Sequence, residues 1–350
     1  MTDATDLPIG EMLADQLQRL LARAVDAKRL TAIEEGAPIT ELWQEIEALG
    51  VTLALASNDI GADLGWQNCL PMLRTLGWHG APVPLAESLL ASQVLAAAGM
   101  DIPAGALAVS HVAFTLDGDN CVSGSDGLVS WLPHCSHLVG VAVRNKQKFL
   151  FVVSTTDLPS QPVDSFARIP AAAITLQAQA VAQCAPVAES TDLLASMALL
   201  RAAVISGILD RILSLTIEYA NTRQQFGRPI GKFQAIQHHV AELAMQSAAA
   251  QAGVIFGCQQ MDVGNSVSGA AIAKVRASVA ATAAASAAHQ VFGAIGVTEE
   301  HELQLLTRRL WQWRGEAGSD HFWAETLGRE VIAAGSHNLW PRITDAQLRA

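Results

Sequence analysis

Tyr219-Ala220-Asn221-Thr222-Arg223-Gln224-Gln225-Phe226-Gly227-Arg228-Pro229-Ile230-Gly231-Lys232-Phe233-Gln234 is the stretch whose reading decides the fold. Upstream of it, Leu209, Ile212, Leu213, Thr216, Ile217 and Ala220 fall on one face at helical spacing, and downstream Ile236, His239, Val240, Leu243 and Ser247 do the same. Gly227, Pro229 and Gly231 interrupt the pattern, because neither residue type suits a helix interior. One helix ends, the chain turns, and a second helix begins. At the turn stand a cation, Arg223, three amides, Gln224, Gln225 and Gln234, and two rings, Phe226 and Phe233. A fixed guanidinium beside free backbone N–H groups is what a pyrophosphate needs, and a ring beside it can cover the edge of an adenine or flavin. Read alone, such a corner is more often structural, since short motifs match by chance.

Outward from this corner, the pattern is helical from about Val187 to the end. Four long helices are expected, near residues 192–221, 233–263, 266–292 and 300–334, joined by short polar segments, as in an antiparallel four-helix bundle. His289-Gln290-Val291-Phe292-Gly293-Ala294-Ile295-Gly296 closes the third. There Gly293 and Gly296 permit positive φ and close backbone approach, which by itself makes a good helix C-cap.

Upstream, residues 103–186 change character. Alternation in 106–110 and 139–143 and the continuous apolar run Phe149-Leu150-Phe151-Val152-Val153 read as strands, with a hairpin turn at Asp117-Gly118-Asp119-Asn120. A small β domain, a reduced barrel or sandwich, is expected, with Ser123-Gly124-Ser125-Asp126-Gly127 as a plain turn. His134, Cys135 and His137 lack a fourth ligand at matching spacing, so no metal is expected. Residues 1–102 read as a helical domain, with a stripe of Met12, Leu13, Leu17, Leu20 and Leu21, a Gly-bearing loop at 58–66, and Pro82-Val83-Pro84 before a further helix. The expected domains are therefore 1–102, 103–186 and 187–350.

Half the residues are apolar and the formal net charge is −11. That balance argues against nucleic acid and anionic membranes as main partners. Five cysteines without CxxC spacing predict free thiols in a reducing cytoplasm. The first ten residues lack the apolar core of a signal peptide, and no apolar run looks long enough to span a membrane.

The corner resembles the C-terminal signature of the acyl-CoA dehydrogenase family, flavoproteins in which Arg-x-x-Phe-Gly and a following Phe-Gln contact FAD. The resemblance implies FAD contacts at Arg223, Gln225, Phe226, Phe233 and Gln234. The 289–296 segment resembles the family's Gln-x-x-Gly-Gly-x-Gly element, which meets the adenosine half of a neighbouring subunit's FAD. It implies contacts at Gln290, Gly293 and Ala294, where Ala replaces the usual Gly and its methyl loosens a tight backbone contact. The N-terminal helices and the β domain have counterparts in the family, although its Thr-Glu-Pro-Gly-x-Gly-Ser-Asp loop is absent. Residues 297–309 are most similar to a divergent branch, including bacterial enzymes built from two related subunits that act on steroid side-chain CoA thioesters.

Such a family implies FAD-dependent α,β-dehydrogenation of an acyl-CoA, an electron-transfer flavoprotein or similar acceptor, and a homo- or hetero-oligomer. A carboxylate takes the α proton and the β hydrogen leaves as hydride to the flavin. That base must be held dry, so that its pKa rises toward the working pH. The family's two base positions fall here on Arg314 and Met197, neither of them an acid, and an arginine stays protonated. Three readings remain open. Glu316 serves as the base; or another acid such as Asp210, Glu218 or Asp320 turns inward; or the chain is the non-catalytic member of a two-subunit enzyme.

Overall fold

The computed structural model describes residues 8–57, 61–156, 158–338 and 340–341. Three layers follow one another along the chain. Helices α1 (Ile9–Ala24), α2 (Ala27–Glu34), α3 (Thr40–Ala48), α4 (Gly65–His79) and α5 (Leu85–Ala97) form the first. In α1, Leu17, Leu20 and Leu21 are buried, whereas Met12 of the same stripe is 47% exposed. Part of the Gly-bearing loop, residues 58–60, lies outside the described residues.

The β layer is one seven-stranded mixed sheet, in the order β5-β6-β2-β1-β3-β4-β7. Its strands are β1 (Leu107–Leu116), β2 (Cys121–Ser130), β3 (His137–Arg144), β4 (Gln147–Ser154), β5 (Ser160–Pro162), β6 (Ala171–Ala180) and β7 (Gln183–Pro186). Because β5 and β7 do not pair with each other among the described residues, the sheet is open rather than a closed barrel. Asp117 makes the expected hairpin, its Oδ1 accepting from the backbone N–H groups of Asp119 (2.9 Å) and Cys121 (2.7 Å). Residues 123–127 are not a turn. They run through β2 as an irregular strand paired with β6, its register shifting on either side of Gly124 to Asp126. Polar composition suggested a loop, but cross-strand pairing and the buried Ser110–Asp126 hydrogen bond (2.6 Å) hold them extended.

Helices α6 (Leu193–Thr222), α7 (Gln234–Asp262) and α8 (Ser266–Phe292) follow, near the expected boundaries. The last expected helix is two, α9 (Leu303–Trp313) and α10 (Asp320–Ala334). Between them Ala317 and Gly318 take positive φ (56° and 90°), and the Ser319 hydroxyl accepts from the Phe322 N–H to start a new helix. This break places Arg314 to Glu316 in a turn instead of on a helix face.

Helix α6 is the centre of the molecule. By length and composition it could cross a membrane, contrary to the sequence expectation, but its most apolar window is 83% buried within the fold. It crosses α4 with backbones in contact: a Cβ on Gly77 would lie 2.0 Å from the Val204 carbonyl oxygen, and one on Gly207 2.0 Å from that of Arg74. Arg308 and Arg309, readable as surface charges, instead clamp Glu34 at the end of α2, at 2.6 and 2.9 Å, with Arg309 fully buried.

Candidate cofactor and active site

At the corner, α6 stops at Thr222 because Gly227 and Pro229 cannot continue it. Gln224–Gln225 (β8) then pair with Arg228–Pro229 (β9) in a minimal hairpin. Its two central residues, Phe226 and Gly227, have φ of 52° and 78°, the signature of a type I′ turn. Left-handed backbone suits glycine but strains a phenylalanine. Even so, Phe226 points outward and is 90% exposed. Its ring meets Phe233 edge-on at 6.0 Å, and the Arg228 guanidinium covers the Phe233 ring at 4.3 Å. Arg223, Arg228 and Lys232 are exposed, and none forms an ion pair among the described residues. A chain of net charge −11 thus gathers free cations at one corner. Arg228, which the sequence reading did not single out, is one of them.

The two glutamine-bearing stretches meet in space. Tyr219 stacks on Phe292 at 4.3 Å, and its hydroxyl donates to the Phe292 carbonyl at 3.5 Å. Ala220 and Ile230 from the corner share a small buried patch with Val291, flanked by Phe233 and Ile236. Gln290, Gly293 and Ala294 are exposed beside it, as are Gln225 and Gln234. Gly293 ends α8 with φ 64° and ψ −144°, a conformation that glycine alone adopts easily, and the space around it is open. Gly296 is the packed one, where a Cβ would come within 2.9 Å of Phe292.

The carboxylate read as a base sits in a buried ion-pair cluster. Glu316 lies buried against Arg201 of α6, 2.8 Å from Nε and 2.5 Å from Nη2, while the same Nη2 reaches Glu87 of α5 at 2.6 Å. Gln312 donates to Glu316 at 3.3 Å, and Ser130 at the end of β2 lies 3.4 Å from both carboxylate oxygens. Burial alone would raise the Glu316 proton affinity, but Arg201 outweighs it and holds the carboxyl below its usual range. A base of this type needs a raised value. Half-buried His111, in the irregular stretch of β1, adds a weaker pull in the same direction.

Arg314 faces away from this cluster. Its Nη1 donates to the Thr282 hydroxyl of α8 at 2.6 Å, and its guanidinium covers the Trp311 ring at 4.6 Å. Met197 is buried in the α6 core. Asp210 pairs with Arg74 and accepts from Ser247 at 2.6 Å, remote from the turn. Cys135 is buried with its thiol pushed up, and among the described residues no three metal-ligating side chains gather. Sequence reasoning missed Glu87, Arg201 and Lys274. The signal was there, since each is a charge flanked on both sides by apolar or small residues of its helix, where unpaired charges are rarely found.

Residues 186–332 match the model of the acyl-CoA dehydrogenase C-terminal domain. The acyl-CoA dehydrogenase IpdE2 of Mycobacterium tuberculosis is 44% identical over 112 residues, 32% of this chain and 34% of that protein. The IpdE2 of Mycolicibacterium smegmatis is 43% identical over a stretch of the same length. These alignments span about a third of each curated relative. Among solved structures, the steroid ACAD Tcur3481-Tcur3483 superposes with a TM-score of 0.84 at 24% identity, covering 94% of this chain and 98% of that one. The ChsE4-ChsE5 complex from Mycobacterium tuberculosis gives 0.80 at 20%, with the same coverage. PigA with FAD and proline gives 0.82 at 19%, covering 95% and 100%. Residues 186–332 thus carry the C-terminal domain of the acyl-CoA dehydrogenase family, and nearly the whole chain shares the fold of these solved structures.

Proposed function

We propose that the chain works as a FAD-dependent acyl-CoA dehydrogenase, in the α,β-dehydrogenation of an acyl-CoA thioester. The observation that carries this reading is the joining of the cationic hairpin to the Gln290–Ala294 turn through the Ala220, Ile230 and Val291 patch. Free guanidinium groups, an outward aromatic ring and an open glycine all face the same solvent, which suits a dinucleotide lying across the corner. Arg223 and Gln225 would hold the pyrophosphate, Phe226 and Phe233 would flank a ring, and Gln234, Gln290, Gly293 and Ala294 would line the remainder. When bound, FAD supplies the hydride acceptor. An electron-transfer flavoprotein or similar acceptor would take the electrons onward. The exposure of Arg223, Gln225, Phe226, Gln234, Gln290, Gly293 and Ala294 fits a site completed by a second subunit, in the cytoplasm.

A second reading has its own support. Glu316 is occupied by Arg201, and the aligned base positions hold Arg314 and Met197. These features favour a non-catalytic subunit that completes a FAD site while a homologous partner supplies the base. Two of the solved structures above, Tcur3481-Tcur3483 and ChsE4-ChsE5, carry paired names of this kind.

The visible spectrum of the purified chain, alone and co-expressed with a homologous partner, separates the two. Yellow protein bleached anaerobically by an acyl-CoA is expected for a self-sufficient enzyme. Colour or bleaching only with the partner assigns the subunit role. A colourless chain in both preparations removes both readings.

A further inference from the structure

Lys274 of α8 is fully buried. Unlike Arg201 and Arg309, it has no carboxylate within ion-pair distance among the described residues. Its ammonium donates to two backbone carbonyls instead, those of Trp313 and Arg314, the latter at 2.9 Å. One helical turn further on, the Ser278 hydroxyl donates to the same Arg314 carbonyl at 3.1 Å, and a turn beyond that Thr282 receives the Arg314 guanidinium. Residues 274, 278 and 282 are thus a ladder on one face of α8, set beneath the segment that separates α9 from α10. On the opposite side of that segment, Glu316 reaches Arg201 and Ser130.

We propose that Lys274 is the positioning residue of the 313–316 turn: by gripping two successive carbonyls it fixes the register that sends Arg314 toward Thr282 and Glu316 toward Arg201, and it loosens that grip on losing its charge, because a neutral amine donates more weakly. The charged groups acting on it are Glu316 and Arg314 from the turn, Arg201 from α6, and Asp320 from the first turn of α10. Helix α7 approaches α8 closely at Gly253 and Gly257, and no α7 group is among the charges acting on Lys274. Burial pushes the ammonium down to about 7, so the loosening falls near neutral pH. The folded value lies below the unfolded value of about 10.4, so the lysine penalises folding at low pH and the penalty fades as pH rises through that window. A group that costs stability and yet holds a turn is best explained by what the turn does.

The test uses the full chain without added flavin, so it stands or falls separately from the flavin reading. Amide hydrogen exchange of residues 313–318, corrected for intrinsic rates, is measured at about pH 6 and about pH 9, on either side of the transition. Near-UV circular dichroism reports Trp311 and Trp313 in parallel. In the wild type, protection is expected to fall on the order of tenfold across that range, the size of one charged hydrogen bond. Lys274→Met should show the low protection at both values, and Lys274→Arg, charged throughout, the high protection at both. If the arginine variant does not fold, the wild type and the methionine variant decide. Equal and pH-independent protection in those two, or a flat wild-type profile, overturns the proposal.

Discussion

Arg201 stands between two buried acids, Glu87 and Glu316. Removing one partner of a buried ion pair leaves a charge without compensation. Arg201→Met strands Glu87 and Glu316 together and is expected to lose about 3–5 kcal/mol in urea denaturation. Glu316→Gln keeps part of the hydrogen bonding and should cost less. The Glu316 carboxyl is held low in the fold, so its contribution is present above the unfolded value of about 4.3 and fades as pH falls through the folded one. The stability gap between wild type and Glu316→Gln should therefore shrink as pH drops below about 4. Phe226 is the opposite case, strained and 90% exposed. Phe226→Gly should leave stability unchanged or raise it by about 0.4–1 kcal/mol, glycine being at ease at positive φ. Flavin retention after gel filtration should fall all the same. Loss of stability in that variant would give the ring a structural role in place of a binding one.

Among the elements, the α4–α6 crossing and the break after α9 do most to place the site. Two glycines allow the crossing, each facing the other helix's carbonyls at a distance no Cβ tolerates. Gly207→Ala must push α6 off α4, at a cost of about 3 kcal/mol, read from the thermal midpoint. The same helix carries Arg201 and ends at Arg223, so this variant should also lower flavin retention. Neither glycine stood out in the sequence, because close backbone approach is a property of two helices at once. The strands were legible in the alternation of 139–143 and the apolar run of 149–153. The β2 segment at 123–127 was not, since its polar residues satisfy one another across the sheet.

For the whole molecule, the outer face of α7 is the open question of assembly. Ala241, Met245, Ala248, Ala252 and Ile255 recur at alternating four- and three-residue spacing and are all exposed. This is the seam geometry of packed helices. Under the proposed function, a second subunit covers it and completes the cofactor site. Met245→Glu is expected to lower the sedimentation coefficient and the flavin content together, with the far-UV spectrum unchanged. An unchanged sedimentation coefficient would move the assembly surface elsewhere.

The residues by themselves determined the helical ends, the β middle and the tight corner between α6 and α7, because periodicity, glycine and proline placement and a compact motif are local properties. Only the tertiary structure decided that the corner and the Gln290 turn share one patch, and that Glu316 belongs to Arg201. Both depend on side chains far apart in sequence being buried together. The energy of a buried charge is set by whichever partner the fold supplies, and no local pattern encodes that choice.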